Sequence, residues 1–166
     1  MRKVICLSRE NLIKFSKRSN LDSFIICSIT DVDKEDISLE NIAASSILFL
    51  KFDDVENQNG GIPMSSNQAK EIANFIVSNQ DKDIIISCNG GVSRSAGIAA
   101  AINLFINDNI SIFMNSHKCP NRLCFDLVLE QLTTANQSIN KENISEERID
   151  NLFKTNQKLF FNRINS

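Results

Sequence analysis

The sequence predicts an α/β domain with a mostly parallel central sheet flanked by helices. Short apolar runs, such as residues 47–52 and the β-branched run 84–86, are typical of strands. Between such runs lie longer segments with apolar residues at helical spacing, and strands that alternate with helices favour parallel pairing. A cysteine and two aspartates follow these two runs closely, which matters because parallel sheets bind ligands at the carboxyl ends of their strands.

Strands and helices are predicted in alternation along most of the chain. The predicted strands cover residues 3–7, 24–29, 47–52 and the run that leads to Cys88. The predicted helices cover residues 9–18, a short stretch around 39–44, a segment after Ser65, 94 to about 107, 123–132 and 146–164.

The helix after Ser65 has the clearest local signals. Gln68 follows Ser65 by three residues, which is the spacing of a capping box. Ile72, Phe75 and Ile76 then share one face at helical spacing, so this face is expected to pack on the sheet.

Three regions are expected along the chain: a domain over residues 1–132, a polar linker over 133–143 and an amphipathic helix over 144–166. The linker is rich in asparagine, and the last helix carries Ile149, Leu152 and Phe153 at near-helical spacing. We expect this helix to pack on the domain or on a second copy as a homodimer contact, with a docking element for a substrate or scaffold as the alternative.

The composition excludes several classes of function. The formal net charge of −2 leaves no basic footprint for nucleic acid, and no apolar run is long enough to insert into a membrane. Five cysteines without regular spacing fit a reducing compartment, so a cytoplasmic protein is expected. With a single histidine, His117, and no Cys-x-x-Cys pair, we expect no metal site and no cofactor.

The most informative stretch runs from residue 84 to residue 99. An apolar strand delivers Cys88 into a short glycine-bearing loop, and an alanine-rich helix begins at Arg94. Loop amides and the positive end of the helix would face one spot, where the planar fork of Arg94 can bind two oxygens of an oxyanion. A buried structural cysteine beside an ordinary turn is the alternative, but it leaves an arginine in the first helical turn unexplained.

The pattern Cys88-x-x-Gly91-x-Ser93-Arg94-Ser95 resembles the signature of the cysteine-dependent protein tyrosine phosphatases, in their dual-specificity branch. The resemblance implies a metal-independent reaction through a phosphocysteine. The residues expected to bind phosphate are Asn89, Gly90, Gly91, Val92, Ser93 and Arg94. Ser95 is expected to hydrogen-bond the sulfur, or to be only a first-turn helix residue. Ser87 stands where the family usually has a histidine that supports the loop.

A phosphatase of this kind also needs a general acid to protonate the leaving oxygen. The family places an aspartate upstream of the cysteine, and here Asp53 and Asp54 follow the predicted strand at 47–52. Asp54 is the expected acid and Asp53 the reserve, while turn formation would account for either of them. The polar run 57–61 after them is expected to let the acid loop move, or to be an exposed connection.

Pro120 and Asn121, directly before the predicted helix at 123–132, resemble a pair that opens the last helix in dual-specificity phosphatases. Asn121 is expected to support the phosphate loop, although helix capping explains it equally well. The resemblance implies hydrolysis of phosphotyrosine and phosphoserine or phosphothreonine on protein substrates. Two alternatives remain: a phosphoprotein-binding module with negligible turnover, and an assembly protein that uses its C-terminal helix.

Overall fold

The computed structural model describes residues 1–39, 42–115, 117–135 and 145–165. Within them, four parallel strands form one sheet in the order β1-β4-β2-β3. Their bounds are β1 (Val4–Ser8), β2 (Phe24–Thr30), β3 (Ser46–Lys51) and β4 (Asp83–Cys88). The predicted α/β class with a parallel sheet is therefore confirmed, and the carboxyl ends of all four strands lie at one edge.

Helices connect and cover the strands of this sheet. In the described residues they are α1 (Arg9–Ser16), α2 (Ser66–Val77), α3 (Arg94–Asn107), α4 (Arg122–Ala135) and α5 (Glu146–Ile164), with a 3-10 turn at Ser111–Phe113. Ser65 accepts a hydrogen bond from the Gln68 N–H while the Gln68 side chain accepts from the Ser65 N–H, so the predicted capping box is present.

The short helix predicted around residues 39–44 is wrong for the described part of that stretch. Leu39 and residues 42–44 are not helical, and residues 40 and 41 lie outside the described residues. Ile37 and Leu39 are both buried on the same face of the sheet as Leu12 of α1. Their alternating burial is typical of an extended segment, and this contact outweighs the weak helical spacing of so short a stretch.

Helix α4 is longer than the predicted segment 123–132, because it continues through Ala135. Thr133 and Thr134, which were expected to begin the polar linker, instead donate their hydroxyls to the carbonyls of Leu129 and Glu130. Each threonine satisfies its hydroxyl one turn back, so polar residues continue the helix without a solvent-exposed break. The rest of the predicted linker, up to residue 143, lies outside the described residues.

The two faces of the sheet carry separate apolar clusters. Alternate residues of β4 divide between them: Ile84 and Ile86 face α3 and α4, whereas Ile85 packs with Leu12 of α1. All seven residues of β2 are buried, as expected for an inner strand covered on both faces. Covered faces leave the carboxyl edge of the sheet as the place where polar side chains gather.

Helix α5 packs on α4. The rings of Phe125 and Phe153 are 5.1 Å apart between centroids, and Phe153 is 4 % exposed. The Arg122 guanidinium lies 4.9 Å above the Phe153 ring and forms an ion pair with Asp150 at 2.6 Å. The described helices include none with the length and apolar character needed to cross a bilayer.

Candidate active site

The loop that joins β4 to α3 is the core of the site. Cys88 is the last residue of β4, and α3 begins six positions later at Arg94. Between them Gly91 adopts a φ of +64°, and a Cβ atom there would lie 2.4 Å from the backbone nitrogen of Ser8. Only glycine fits this turn, because both the backbone conformation and the space exclude a side chain.

Several backbone amides of this loop have no acceptor among the residues that the structure describes. Within the described chain, the N–H groups of residues 90 to 93 donate to no backbone carbonyl outside the regular elements. Ser93, at the N-terminus of α3, makes no side-chain capping bond. Free amides beside a helix N-terminus give the loop a positive potential that favours an anion.

Arg94 is almost completely buried, with 3 % of its surface exposed. Its Nη1 lies 2.7 Å from the Asp31 carboxylate and donates at 2.7 Å to the Phe52 carbonyl. Its Nε has no hydrogen-bond partner in the described part of the chain. A buried guanidinium N–H without a partner is costly unless a ligand accepts from it, so Arg94 is arranged to bind an oxygen-rich anion.

Asp31 is a site residue that the sequence analysis missed. It follows β2 directly, and its second oxygen accepts a hydrogen bond from the Asn89 side chain. Asp31 thus orients both the guanidinium of Arg94 and the first residue of the loop. Its position immediately after the buried strand β2 was the signal that could have identified it.

Asp54 lies against the end of the loop. Its Oδ1 accepts hydrogen bonds from the Ser93 hydroxyl at 2.7 Å and from the Asn121 amide at 3.2 Å. The side chain is exposed, so it can exchange protons with a bound molecule or with water. The carboxylate of Asp54 therefore contacts Ser93, the residue that precedes Arg94 at the end of the loop.

Asp53 occupies a different position from its neighbour. Its two oxygens accept from the N–H groups of Val32 at 3.2 Å and Ile62 at 2.8 Å. These two amides, that of Ile62 first, lower the pKa of Asp53. A Cβ at Gly61 would lie 2.8 Å from the Asp53 carboxylate, so Asp53 closes the loop 53–62 and shapes it.

Asn121 both caps a helix and contacts the site. Its Oδ1 accepts from the Cys124 N–H at 3.0 Å at the start of α4, and its amide donates to Asp54. Its backbone N–H donates to the Ser93 carbonyl at 3.1 Å. The two interpretations of Asn121 from the sequence are thus compatible, because one side chain has separate donor and acceptor atoms.

Cys88 and Ser95 are in direct contact, with the sulfur and the hydroxyl oxygen 3.0 Å apart. Cys88 is 3 % exposed and Ser95 is fully buried, so the sulfur lies at the bottom of the loop. Ser87 is buried in β4 between Leu7 and Ser28 of the flanking strands. The structure gives its hydroxyl no hydrogen bond to the described loop residues, so Ser87 contributes a small buried side chain to the sheet.

Two further side chains reach the loop from distant parts of the chain. Cys6 of β1 lies 3.2 Å from the Ser95 hydroxyl, and Lys118 donates to the Gly91 carbonyl. Neither was singled out as a site residue from the sequence, since a cysteine inside a strand and a lysine before a helix are common.

No family model matches the sequence, and no curated protein matches it. Among solved structures, the chain is similar to "Tk-PTP in the active form", with 15 % identity and a TM-score of 0.44 over 95 % of this chain and 94 % of that one. It is also similar to the "Yvh1 phosphatase domain from Chaetomium thermophilum", with 17 % identity and a TM-score of 0.41 over 69 % and 83 % of the two chains.

Together, the described groups can bind and react with a tetrahedral oxyanion. The free amides and Arg94 supply donors, Cys88 supplies a sulfur nucleophile, and Asp54 supplies a carboxyl group at the edge. Such donors stabilise negative charge that develops on oxygens during displacement at a central atom. Asp53 and Ser87 shape the surroundings, and Asp31 orients the guanidinium.

Proposed function

We propose that the chain is a cysteine-dependent phosphatase of the dual-specificity type, which hydrolyses phosphate monoesters on proteins. One observation carries the proposal: the buried Arg94 keeps a free Nε beside a loop of free amides that begins at Cys88. This combination binds the equatorial oxygens of a phosphoryl group and holds a nucleophile near the phosphorus.

In the first step the Cys88 thiolate attacks phosphorus. A sulfur–phosphorus bond forms as the bond from phosphorus to the ester oxygen breaks, and Asp54 gives its proton to that leaving oxygen. The loop amides and Arg94 hold the other oxygens, and the ion pair with Asp31 fixes the guanidinium in place. The product of this step is a phosphocysteine and a free alcohol or phenol.

In the second step water attacks the phosphocysteine. The Asp54 carboxylate takes a proton from the water, the phosphorus–sulfur bond breaks, and Cys88 leaves as a thiolate while inorganic phosphate forms. The Ser95 hydroxyl, 3.0 Å from the sulfur, donates to the leaving thiolate. No metal is required in either step, because the nucleophile is a thiolate and the counter-charges are Arg94 and the amides.

Phosphorylated tyrosine and phosphorylated serine or threonine on proteins are the proposed substrates, by resemblance to the dual-specificity branch. A cytoplasmic location is proposed with them, because a free thiolate nucleophile requires a reducing compartment.

A phosphoprotein-binding module with negligible turnover is the second candidate. It is favoured by the small exposed fraction of Cys88, 3 %, which limits approach to the sulfur. In that case the loop would bind the phosphoryl group through Arg94 without transferring it.

Release of phosphate from an aryl phosphate, in the presence of a metal chelator, tests the proposal. We expect turnover by the native protein and none by Cys88→Ser, since a serine hydroxyl is a much weaker nucleophile at neutral pH. Calorimetric binding of inorganic phosphate should persist in Cys88→Ser and be lost in Arg94→Lys, because a point charge cannot replace the guanidinium fork. Phosphate binding without any turnover by the native protein would favour the binding module, and strict dependence on added metal would contradict the mechanism.

A further inference from the structure

The Ser95 hydroxyl lies between two sulfur atoms. Cys88 Sγ is 3.0 Å from Ser95 Oγ on one side, and Cys6 Sγ is 3.2 Å away on the other. Cys6 in turn lies 3.6 Å from the ammonium group of Lys118, which follows α3 and precedes α4. A continuous chain of polar contacts therefore runs from Lys118 through Cys6 and Ser95 to Cys88.

The chemistry of these four groups determines which of them donates and which accepts in each contact. A lysine ammonium has donors and no acceptor, so the contact between Lys118 and Cys6 uses the Cys6 sulfur as acceptor. A thiolate at Cys88 has no hydrogen, so the contact between Ser95 and Cys88 requires the Ser95 hydroxyl to donate. With its one hydrogen directed at Cys88, Ser95 can only accept from the Cys6 thiol.

Cys6 is able to donate because it keeps its proton. Burial raises the pKa of the Cys6 thiol, and the nearby ammonium of Lys118 offsets this only in part. The thiol hydrogen has two acceptors within reach, Ser95 Oγ and the Gly91 carbonyl at 3.3 Å. Lys118 also donates to that Gly91 carbonyl and occupies one of its two lone pairs, so the carbonyl attracts the Cys6 hydrogen less strongly and donation to Ser95 is favoured.

Lys118 has a second effect on the loop through the same carbonyl. Gly91 is the residue with positive φ at the turn of the loop, and Lys118 donates to its carbonyl from outside the loop. The buried Ser87, which precedes Cys88, makes no such bond within the described residues. Side-chain support for the turn of the loop thus comes from Lys118 together with Cys6.

We propose that Lys118 and Cys6 are positioning residues that direct the Ser95 hydroxyl toward the sulfur of Cys88. The proposal rests on the proposed function, because it assigns these residues to the same thiolate. Neither residue touches the substrate. Their effect is to keep the hydrogen of the Ser95 hydroxyl directed at the Cys88 sulfur, where it stabilises Cys88 as an anion and as a leaving group.

A double-mutant cycle with Cys6→Ala, Ser95→Ala and the combined variant tests the proposal. The rate of alkylation of Cys88 by iodoacetamide at neutral pH, followed by mass spectrometry of its peptide, reports on the anion without any need for turnover. We expect Cys6→Ala to slow alkylation about fivefold, the loss of one modest hydrogen bond. In the Ser95→Ala background the same change should have no further effect, because Cys6 acts through Ser95.

Cys27→Ala is the matched control, since Cys6 and Cys27 lie on the two strands that flank Ile86 of β4. Cys27→Ala also removes one thiol from the sheet, but this thiol does not contact Ser95, so the alkylation of Cys88 should stay at the native rate. Cys6→Ser keeps a donor and should restore most of the rate. Equal slowing by Cys27→Ala and Cys6→Ala, or additive effects in the cycle, would overturn the proposal.

Lys118→Met should also slow the alkylation of Cys88, whereas Lys118→Arg, which keeps a donor, should stay closer to the native rate. In an active enzyme, Cys6→Ala should slow the breakdown of phosphocysteine and lower kcat about fivefold, with KM falling along with it. A burst of the phenol product should precede the steady state as phosphocysteine accumulates. A protein without turnover that still shows the coupling would refute the proposed function alone. Turnover by a protein with an additive cycle would refute the positioning role alone.

Discussion

At the scale of single residues, two adjacent aspartates have different surroundings. Asp53 accepts two backbone N–H groups and closes a loop, whereas Asp54 accepts from Ser93 and Asn121 at the edge of the loop between β4 and α3. The difference follows from strand geometry, because successive side chains after a strand point in opposite directions. Only one of the pair can therefore face the loop, and it is Asp54.

Asp54→Asn tests the proposed role of Asp54 as proton donor while leaving Cys88 in place. We expect kcat for aryl phosphates with poor leaving groups to fall about a hundredfold, the usual contribution of a general acid, and to change much less for good leaving groups. Steady-state rates across a series of leaving groups measure this. The matched control is Asp53→Asn, which should lower thermal stability without steepening the dependence on the leaving group. The reverse pattern would mean that Asp53 is the acid.

At the scale of elements, the starts of α3 and α4 touch through backbone. A Cβ at Gly97 of α3 would lie 2.3 Å from the carbonyl oxygen of Asn121. Close by, the N–H groups of Asn121 and Cys119 donate to the carbonyls of Ser93 and Val92 at 3.1 and 3.0 Å. This contact holds the end of the loop between β4 and α3 against Asn121, whose side-chain amide donates to Asp54.

Gly97→Ala should separate the two helices, because a carbonyl cannot yield to a methyl group at that distance. We expect it to lower the free energy of unfolding by about 1–3 kcal/mol, the usual cost of overpacking, and to reduce turnover as Asn121 moves. Urea denaturation and initial rates measure the two effects. Gly90→Ala is the matched control for stability, since its Cβ would meet only Val92 Cγ2 at 3.9 Å. Equal stability of both variants would show that α3 and α4 do not touch at Gly97.

At the scale of the whole molecule, α5 is joined to the site through α4. The side chain of Arg122 forms ion pairs with Asp126 and Asp150 and lies over the ring of Phe153. Its backbone N–H donates at 2.7 Å to Glu56, in the loop that follows β3. The first turn of α4 thus contacts the C-terminal helix on one side and the loop of Asp54 on the other. We therefore expect the packing of α5 on α4 to stabilise the position of the loop that contains Asp54 and Glu56.

Phe153→Ala and Phe161→Ala distinguish the two sides of α5. Phe153 is 4 % exposed and Phe161 is 53 % exposed, so only the first removes buried apolar surface. We expect Phe153→Ala to lower the free energy of unfolding by about 3 kcal/mol and Phe161→Ala to change it by less than about 0.5 kcal/mol. Urea denaturation, with light scattering to record the mass in solution, tests this. Similar losses from both variants would contradict the packing of α5 on α4 through Phe153.

Local signals in the sequence determined the strands, most of the helices and the loop between β4 and α3. The apolar run before Cys88, the capping box at Ser65 and the small residues around Gly91 each act over a few residues, so they can be read without the fold. The same locality explains the error at residues 39–44. Burial of Ile37 and Leu39 against the sheet depends on a distant partner, which the spacing of that stretch does not contain.

Tertiary structure alone decided which distant side chains meet at the loop. Asp31 and Cys6 reach it because β1 and β2 both flank β4, and the sequence contains no local trace of that strand order. Lys118 reaches it because the segment before α4 is bound to the loop through the Cys119 N–H and the Val92 carbonyl. Strand order depends on the sum of many long-range contacts, each too weak to show in the residues that make it. For the same reason the sequence by itself determined the position of the cysteine and the arginine, six residues apart, and left to the fold the groups that orient them.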